Sequence, residues 1–365
     1  MCRNLKGAEM NLLSRNIFMA VAAIVLSLAG MGRAYAAEED IDVQEIIFGH
    51  IGDSYEWHIT DIGKREISIP LPVIVHSSTG WHCFLSSRLE DGAVYEGLYI
   101  SSSDRYDGKV VELDAAGNEV RPLDISITRN VLSLMINSAL LVALILCCAR
   151  WYRKHDALEE SPKGVAALLE PVIAMINDDV IKSAIGPGYS KFAPYLLTVF
   201  FFILINNLMG IIPFFPGGTN ITGNITVTFV LAFCTFLCVN LTTNRYYWKD
   251  IFCPEVPLWL KPILIVIEVF GVFTKPFALM LRLFANIMAG HCLILCVVAM
   301  IFITAKMGAL IGGSMTVVSV VFGIFMDCLE LLVAFIQAYV FTMLSAVFIG
   351  LSRERPEKSD ITEKQ

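Results

Sequence analysis

Charged residues stand out in this chain where apolar residues are otherwise the rule. The 43 residues from Pro262 to Thr304 form one apolar stretch that contains Glu268, Lys275 and Arg282, each seven residues after the last. Seven residues make nearly two helical turns, so the three charges share a stripe, and Asn286, four further on, extends it. The following stretch, Ala309 to Leu351, carries Asp327, Glu330 and Gln337, the last two again seven apart. One such charge at a bilayer centre costs about 2.5–3.5 kcal/mol on insertion scales, so these residues are functional candidates by default. The chemistry they offer is ion movement. Glutamate and histidine can change protonation and relay a proton. Arginine stays charged, pairs with a carboxylate and passes no proton onward, which suits a fixed electrostatic gate. His291 lies nine residues after Arg282 and points to the opposite side of a helix, where it can meet Glu330 from behind on an access path. The competing reading is a set of helix–helix ion pairs that only assembles a bundle. A seven-spaced stripe with a polar stripe on the next helix favours the ion path.

These residues need membrane-spanning elements to hold them. Each 43-residue stretch is roughly 63 Å long as a helix, about twice the ~30 Å hydrocarbon core. Length alone allows two short spans or one long, strongly tilted helix in each. The interior breakers are few: Gly271, Pro276, Gly290 and Gly323. Three shorter spans precede them, at about 131–149, 194–215 and 224–242, with a surface helix at 164–186 that Gly186-Pro187-Gly188 ends. Arg150, Arg153 and Lys154 follow the first span, and Arg245 and Lys249 follow the third, which marks those ends as cytoplasmic.

The N-terminal third reads differently. Arg15, an apolar run from Ile17 to Gly32 and Ala34-Tyr35-Ala36 form a secretory signal over residues 1–36, with Met10 as an alternative start. The alternative is an uncleaved membrane helix, but the run is shorter than the ~20 residues a span needs. Residues 37–125 hold 18 acidic and 6 basic side chains and are β-rich, with a β-branched run from Ile67 to Val75 and turn signals at Asp91-Gly92, Asp107-Gly108 and Gly117-Asn118. With the following span ending inside, this acidic domain is periplasmic, the membrane domain covers 126–351, and residues 352–365 form a cytoplasmic tail.

Composition excludes several classes. The 365 residues are 56% apolar and 17% charged, with a mean hydropathy of +0.66, unlike a soluble enzyme with one core. No basic patch points to nucleic acid. The ten cysteines lie mostly in apolar runs and form no CxxC pair, so neither a disulfide framework nor a zinc site is expected. His50, His58, His76 and His82 share no metal-ligand spacing. There is no nucleotide-binding loop, and no cofactor is expected. A secondary transporter would show an internal repeat, and none is visible.

The run Phe273-Thr-Lys-Pro-Phe-Ala-Leu-Met-Leu-Arg-Leu-Phe-Ala-Asn-Ile-Met-Ala-Gly-His291 resembles subunit a of F-type ATP synthases. The resemblance continues in Ile336-Gln-Ala-Tyr-Val-Phe-Thr-Met-Leu344 and Asn206-Asn-Leu-Met-Gly-Ile-Ile-Pro213, and covers roughly residues 130–351. It implies an all-α polytopic membrane protein, with a small β-rich N-terminal domain, whose two long tilted helices form a hairpin against a ring of c subunits. It implies a non-catalytic stator subunit in a bacterial inner membrane, with the c-subunit ring, the b-subunit peripheral stalk, the remaining ATP synthase subunits and membrane lipid as partners. It implies that Arg282 attracts the c-ring carboxylate and blocks a proton short circuit. Asn286, His291, Glu330 and Gln337 match outer half-channel positions, and Glu268 and Lys275 match the cytoplasmic side. The sequence departs from some bacterial relatives in exchanging the acid and the histidine between positions 291 and 330, as in the mitochondrial type. Gly210 stands where some relatives have an acid, leaving Asn206, Asn207 and Asn224 to line the inlet.

N-terminal sequencing of the membrane-inserted protein is expected to begin at Ala37; a start at Met1 or Met10 would contradict cleavage of the signal.

Overall fold

The computed structural model describes residues 52–353, apart from residues 63–64, 90–91, 104, 115–116, 156–160, 213–216, 255, 258 and 306–308. The proposed signal peptide, Met10, His50 and most of the C-terminal tail lie outside the described residues. Two compact units divide the rest: one holds Asp53–Met288 and the chain from Val333 onward, the other Ala289–Leu332.

The N-terminal region is built of short antiparallel strands: β1 (Glu56–Ile62), β2 (Arg65–Pro70), β3 (Pro72–Ser77), β4 (Gly80–Leu85), β5 (Leu98–Ile100), β6 (Val110–Leu113), β7 (Glu119–Val120) and β8 (Leu123–Asp124). They form a β1–β2 hairpin and two three-stranded sheets, ordered β4-β3-β8 and β5-β6-β7. The β-branched run from Ile67 to Val75 is therefore two strands, broken at Leu71, rather than one. In β3 alternate side chains turn inward, so Val73 and Val75 are fully buried with Tyr55, Phe84, Leu89, Leu98 and Val110. The Tyr55 hydroxyl donates to Asp124 at 2.5 Å and accepts the Val110 amide at 3.4 Å, tying β8 and β6 to the start of the domain. Glu119 accepts from the hydroxyls of Ser103, Ser101 and Tyr99, which hold its carboxyl below its ordinary value.

The same strands anchor the first helix. Ile125 and Ile127 donate their amides to Ile74 and Pro72, continuing the β3 pairing almost to the helix start. Arg129 then donates to the Ser54 carbonyl, and the Asp53 carboxylate accepts the Asn130 amide, one of the N–H groups a helix start leaves open.

Helix α1 (Arg129–Lys154) follows, then α2 (Val165–Ala174), which runs through π-helical turns (Met175–Lys182) to Ser183–Ile185. Gly186 has φ +69, a conformation that stops the helix at little cost for glycine. The remaining helices are α3 (Ala193–Ile211), α4 (Ile225–Thr242), α5 (Arg245–Phe252), α6 (Lys261–Ala305) and α7 (Ala309–Leu351). Helix α1 is longer than its apolar core because polar ends extend it, while α3 stops at Ile211. Helix α5 had no apolar-run signal in the sequence. Both 43-residue apolar stretches are single continuous helices, so Pro276 and the glycines break neither.

Five helices, α1, α3, α4, α6 and α7, are long and apolar enough to cross a membrane. Over its apolar window helix α3 is the most buried of them, and in α7 the half from Ala334 to Ile349 is buried too, with Ala334, Ala338, Phe341, Thr342, Ser345, Ala346 and Ile349 all within the core. Leu196, Phe200 and Ile203 of α3 are fully buried against Ile176 and Ile181 of the π-helical turns and Phe341 and Ile349 of α7. Gly350 of α7 lies against the Ala184 carbonyl, where any Cβ would collide with backbone.

Replacing Tyr55 by Phe removes the donor to Asp124 and leaves the Val110 amide short of an acceptor, a loss of about 1–3 kcal/mol. The expected result is hydrogen exchange faster by about fivefold or more at Val73, Val75 and Val110. In the native domain, burial and the Asp124 carboxylate raise the Tyr55 phenol, so this stabilisation is whole below about pH 10 and is lost as pH rises further.

Candidate functional site

The buried residues of α1 are Asn130, Ser133, Asn137 and Cys148, while Met135, Val142, Ile145 and Leu146 are exposed. The first three recur at i, i+3 and i+7, so α1 turns a polar stripe inward and an apolar surface outward. This inverted polarity suits hydrocarbon as solvent. The stripe meets Asn206 of α3: the Asn137 amide donates to the Asn206 oxygen at 3.0 Å, and the Asn206 amide donates to the Phe202 carbonyl at 2.7 Å. Asn207 reaches the other way. Its amide donates to the Ala334 carbonyl of α7 at 3.2 Å, and its oxygen accepts from Thr222 at 2.7 Å. Both asparagines are almost fully buried. Asn224 caps α4, accepting the Thr226 amide at 2.9 Å. Ser133, Asn137 and Thr222 escaped the sequence reading, although the spacing of Asn130, Ser133 and Asn137 carried the signal.

A second polar tie joins the long helices. The Asn286 amide of α6 donates to the Gln337 oxygen of α7 at 2.9 Å. Gln337 is buried, and its Nε2 has no partner among the described residues; the same holds for Ser133 Oγ, Asn137 Oδ1 and Thr342 Oγ1. A buried polar atom left unpaired costs about 1–3 kcal/mol.

Arg282 lies one turn before Asn286, at the midpoint of the 45-residue α6. Its side chain is exposed and makes no hydrogen bond or ion pair among the described residues. Ala278 and Ala285, one turn to either side, are also exposed and leave a low surface around the guanidinium. The charge stripe therefore forms no internal salt bridge. Glu268 is exposed, and Lys275 places its ammonium 5.9 Å from the centre of the Phe348 ring.

In the unit formed by Ala289–Leu332, Glu330 occupies the midpoint of α7 and is 9% exposed. Gly290 backs onto it: a Cβ built at Gly290 would stand 3.4 Å from Glu330 Oε1, so the missing side chain makes room for the carboxyl. His291 follows Gly290 and is half-buried. Asp327 is exposed one turn before Glu330.

Elsewhere, His76 packs edge-on against Trp81, and His82 bonds Thr79 and Glu96. No three metal-ligating side chains gather among the described residues.

The fold and the polar ties define a polytopic membrane protein whose helices are joined through buried amides. The family model described as ATP synthase A chain matches residues 132–350, and the chain belongs to that family. A separate domain family of unknown function matches residues 46–126. The chain is 43% identical over 248 residues to ATP synthase subunit a 2 of Chlorobaculum tepidum, an alignment covering 66% of this chain and 67% of that one. It is 40% identical over 248 residues to ATP synthase subunit a of Chloroherpeton thalassium (66% and 71% covered). It is 38% identical over 237 residues to that of Myxococcus xanthus (63% and 74% covered).

A double-mutant cycle of Asn137→Ala and Asn206→Ala is expected to give a coupling of about 0.6 kcal/mol and no more than about 1.7, the range for interhelical bonds in membranes. Zero coupling in unfolding measurements would contradict the tie.

Proposed function

We propose that this chain is the stator subunit of the membrane sector of an F-type ATP synthase, carrying protons to and from the carboxylates of a c-subunit ring. The observation that carries this reading is Arg282: a permanent charge at the centre of the longest apolar helix, exposed and unpaired among the described residues. A partner chain that brings a carboxylate to that surface would meet the charge, and the alanines at 278 and 285 would allow a second helix to approach closely. The ring's carboxylate would be charged while facing Arg282 and protonated while facing lipid. Passage of the ring would thus force release and reloading, and Arg282, which gives up no proton, would bar direct flow.

The route is supported by the polar residues. Asn286, His291, Glu330 and Gln337 serve the outer half-channel, and the orphaned polar atoms at Gln337 and Asn137 would hold its water. Asn206 and Asn207 hold the neighbouring helices in register around this route, and Asn224 fixes the start of α4. Glu268 and Lys275 serve the cytoplasmic side. Helices α6 and α7 form a hairpin against the ring. With 45 and 43 residues, they fit within ~30 Å of hydrocarbon only when tilted by roughly 60°. The β-rich domain is periplasmic, the C-terminus cytoplasmic, and the b-subunit stalk and the other subunits complete the assembly. The chain itself does no ATP chemistry.

In inverted vesicles with the complex assembled to equal levels, Arg282→Ala is expected to reduce ATP-driven acidification to the background of uncoupled vesicles while the ATPase stays bound. Unchanged acidification would reduce Arg282 to a structural charge.

A further inference from the structure

Helices α4 and α6 line a groove whose own walls hold none of the residues assigned to the proton route; only the recess at one end shares Lys275 with it. Its volume is about 470 Å³, within the ~300–1,000 Å³ range of small-ligand sites. Phe229, Phe233 and Phe236 stack along α4 with ring centres 5.9 and 6.1 Å apart, and Phe236 stacks on Phe273 of α6 at 5.7 Å. Phe277 and Met280 complete the lining. Thr274 is the one hydroxyl in it, and it donates to the Gly271 carbonyl within α6. The groove therefore offers rings and no free donor to whatever fills it.

One end of the groove is different. Phe236 and Pro276 also line a smaller recess that contains Lys275, Asn240 and Tyr247. This recess lies where α4 and α7 end: the Thr243 hydroxyl donates to the Ser352 carbonyl there. Lys275 makes no ion pair among the described residues, and Asn240 Oδ1 is buried without a partner. Burial, followed by the charge of Glu268, raises the Tyr247 phenol, so it remains a neutral donor at physiological pH. Tyr247 sits on α5, beside Arg245 and Lys249. Among the described residues, Glu268 is the negative charge that acts on Tyr247, and Lys275 is the cation lining the recess. From Phe236 to Phe229 the ring ladder climbs roughly 10 Å away from this polar end.

A cation and a phenol at one end and a row of rings leading from them match an amphiphile with an anionic head. We propose that the groove between α4 and α6 holds one acyl chain of an anionic phospholipid, with its phosphate at Lys275 and Tyr247. A zwitterionic lipid would leave the Lys275 charge without a net counter-charge.

The test uses the assembled complex in nanodiscs of phosphatidylcholine, with trace phosphatidylglycerol bearing a photoreactive acyl chain. After irradiation, adducts are mapped by peptide. The expected result is labelling of segments 229–236 and 270–280 roughly fivefold above segment 131–149 of α1, whose outward surface reports ordinary boundary lipid; one cation near an anionic surface supplies about that factor. Unlabelled phosphatidylglycerol should displace the label, and added phosphatidylcholine should not. Phe233→Trp, which fills the groove, should lower labelling there and leave α1 unchanged, and Lys275→Gln should abolish the preference for the anionic lipid. Equal labelling of α1 and the groove, or equal displacement by phosphatidylcholine, would overturn the proposal. Absence of label from the groove while α1 is labelled would also overturn it and would assign the groove to a partner subunit.

Discussion

An unpaired guanidinium at the middle of an apolar helix is the constraint on which the rest of this structure depends. Burying such a charge at the bilayer centre costs a few kcal/mol even by the mildest scales, and the described chain offers Arg282 no carboxylate in return. Nearby side chains are arranged around it. Ala278 and Ala285 keep the surface low, and Asn286 turns its amide to Gln337. A helix that served only to anchor the protein would not carry this cost. The charge is tolerable when a partner supplies the counter-charge.

The packing follows from the same solvent. Where hydrocarbon surrounds the chain, apolar burial drives little association, and helices are selected by fit and by hydrogen bonds. Asn137–Asn206, Asn207–Ala334 and Asn286–Gln337 link α1 to α3, α3 to α7 and α6 to α7. Tyr195 and Thr235 join α3 to α4 at 3.0 Å, and Thr235 reaches Ser345 of α7 at 3.5 Å. Asn137 and Gln337 each keep one polar atom without a partner among the described residues, which costs about 1–3 kcal/mol per atom if it stays dry. At the N-terminal end of α1 the strands tie Asp53 and Ser54 to the helix start, so the β-rich domain and the first helix share one backbone frame.

Much of this was legible in the residues. The seven-residue spacing of Glu268, Lys275 and Arg282, the polar pair Glu330 and Gln337, and the two unusually long apolar runs are local patterns, and a helix converts local spacing directly into a shared face. What was not legible depends on partners distant in sequence. The stripe places Lys275 on a face but does not name its neighbour, and its ammonium lies 5.9 Å from the ring of Phe348, 73 positions away. The partners of Asn206 and Asn207 are of the same kind: Asn137, Thr222 and Ala334 lie far from them or in another element, so no local pattern names them. Length left two short spans or one long helix open in each stretch, because proline always removes one helical hydrogen bond and only packing decides whether the helix continues past it. Helix α5 is short and mixed in character, so it had no periodic signal of its own.

The central claim is that the Arg282 surface of α6 faces an acidic residue on the c-subunit helix. The direct measurement places a cysteine at Ala285 and a second one turn from the c-subunit carboxylate, then oxidises the assembled complex. The account predicts a cross-link between the two chains, formed in good yield and abolishing ATP-driven rotation until it is reduced. A cysteine at position 285 that cross-links to no c subunit, while the complex remains assembled and coupled, would contradict it.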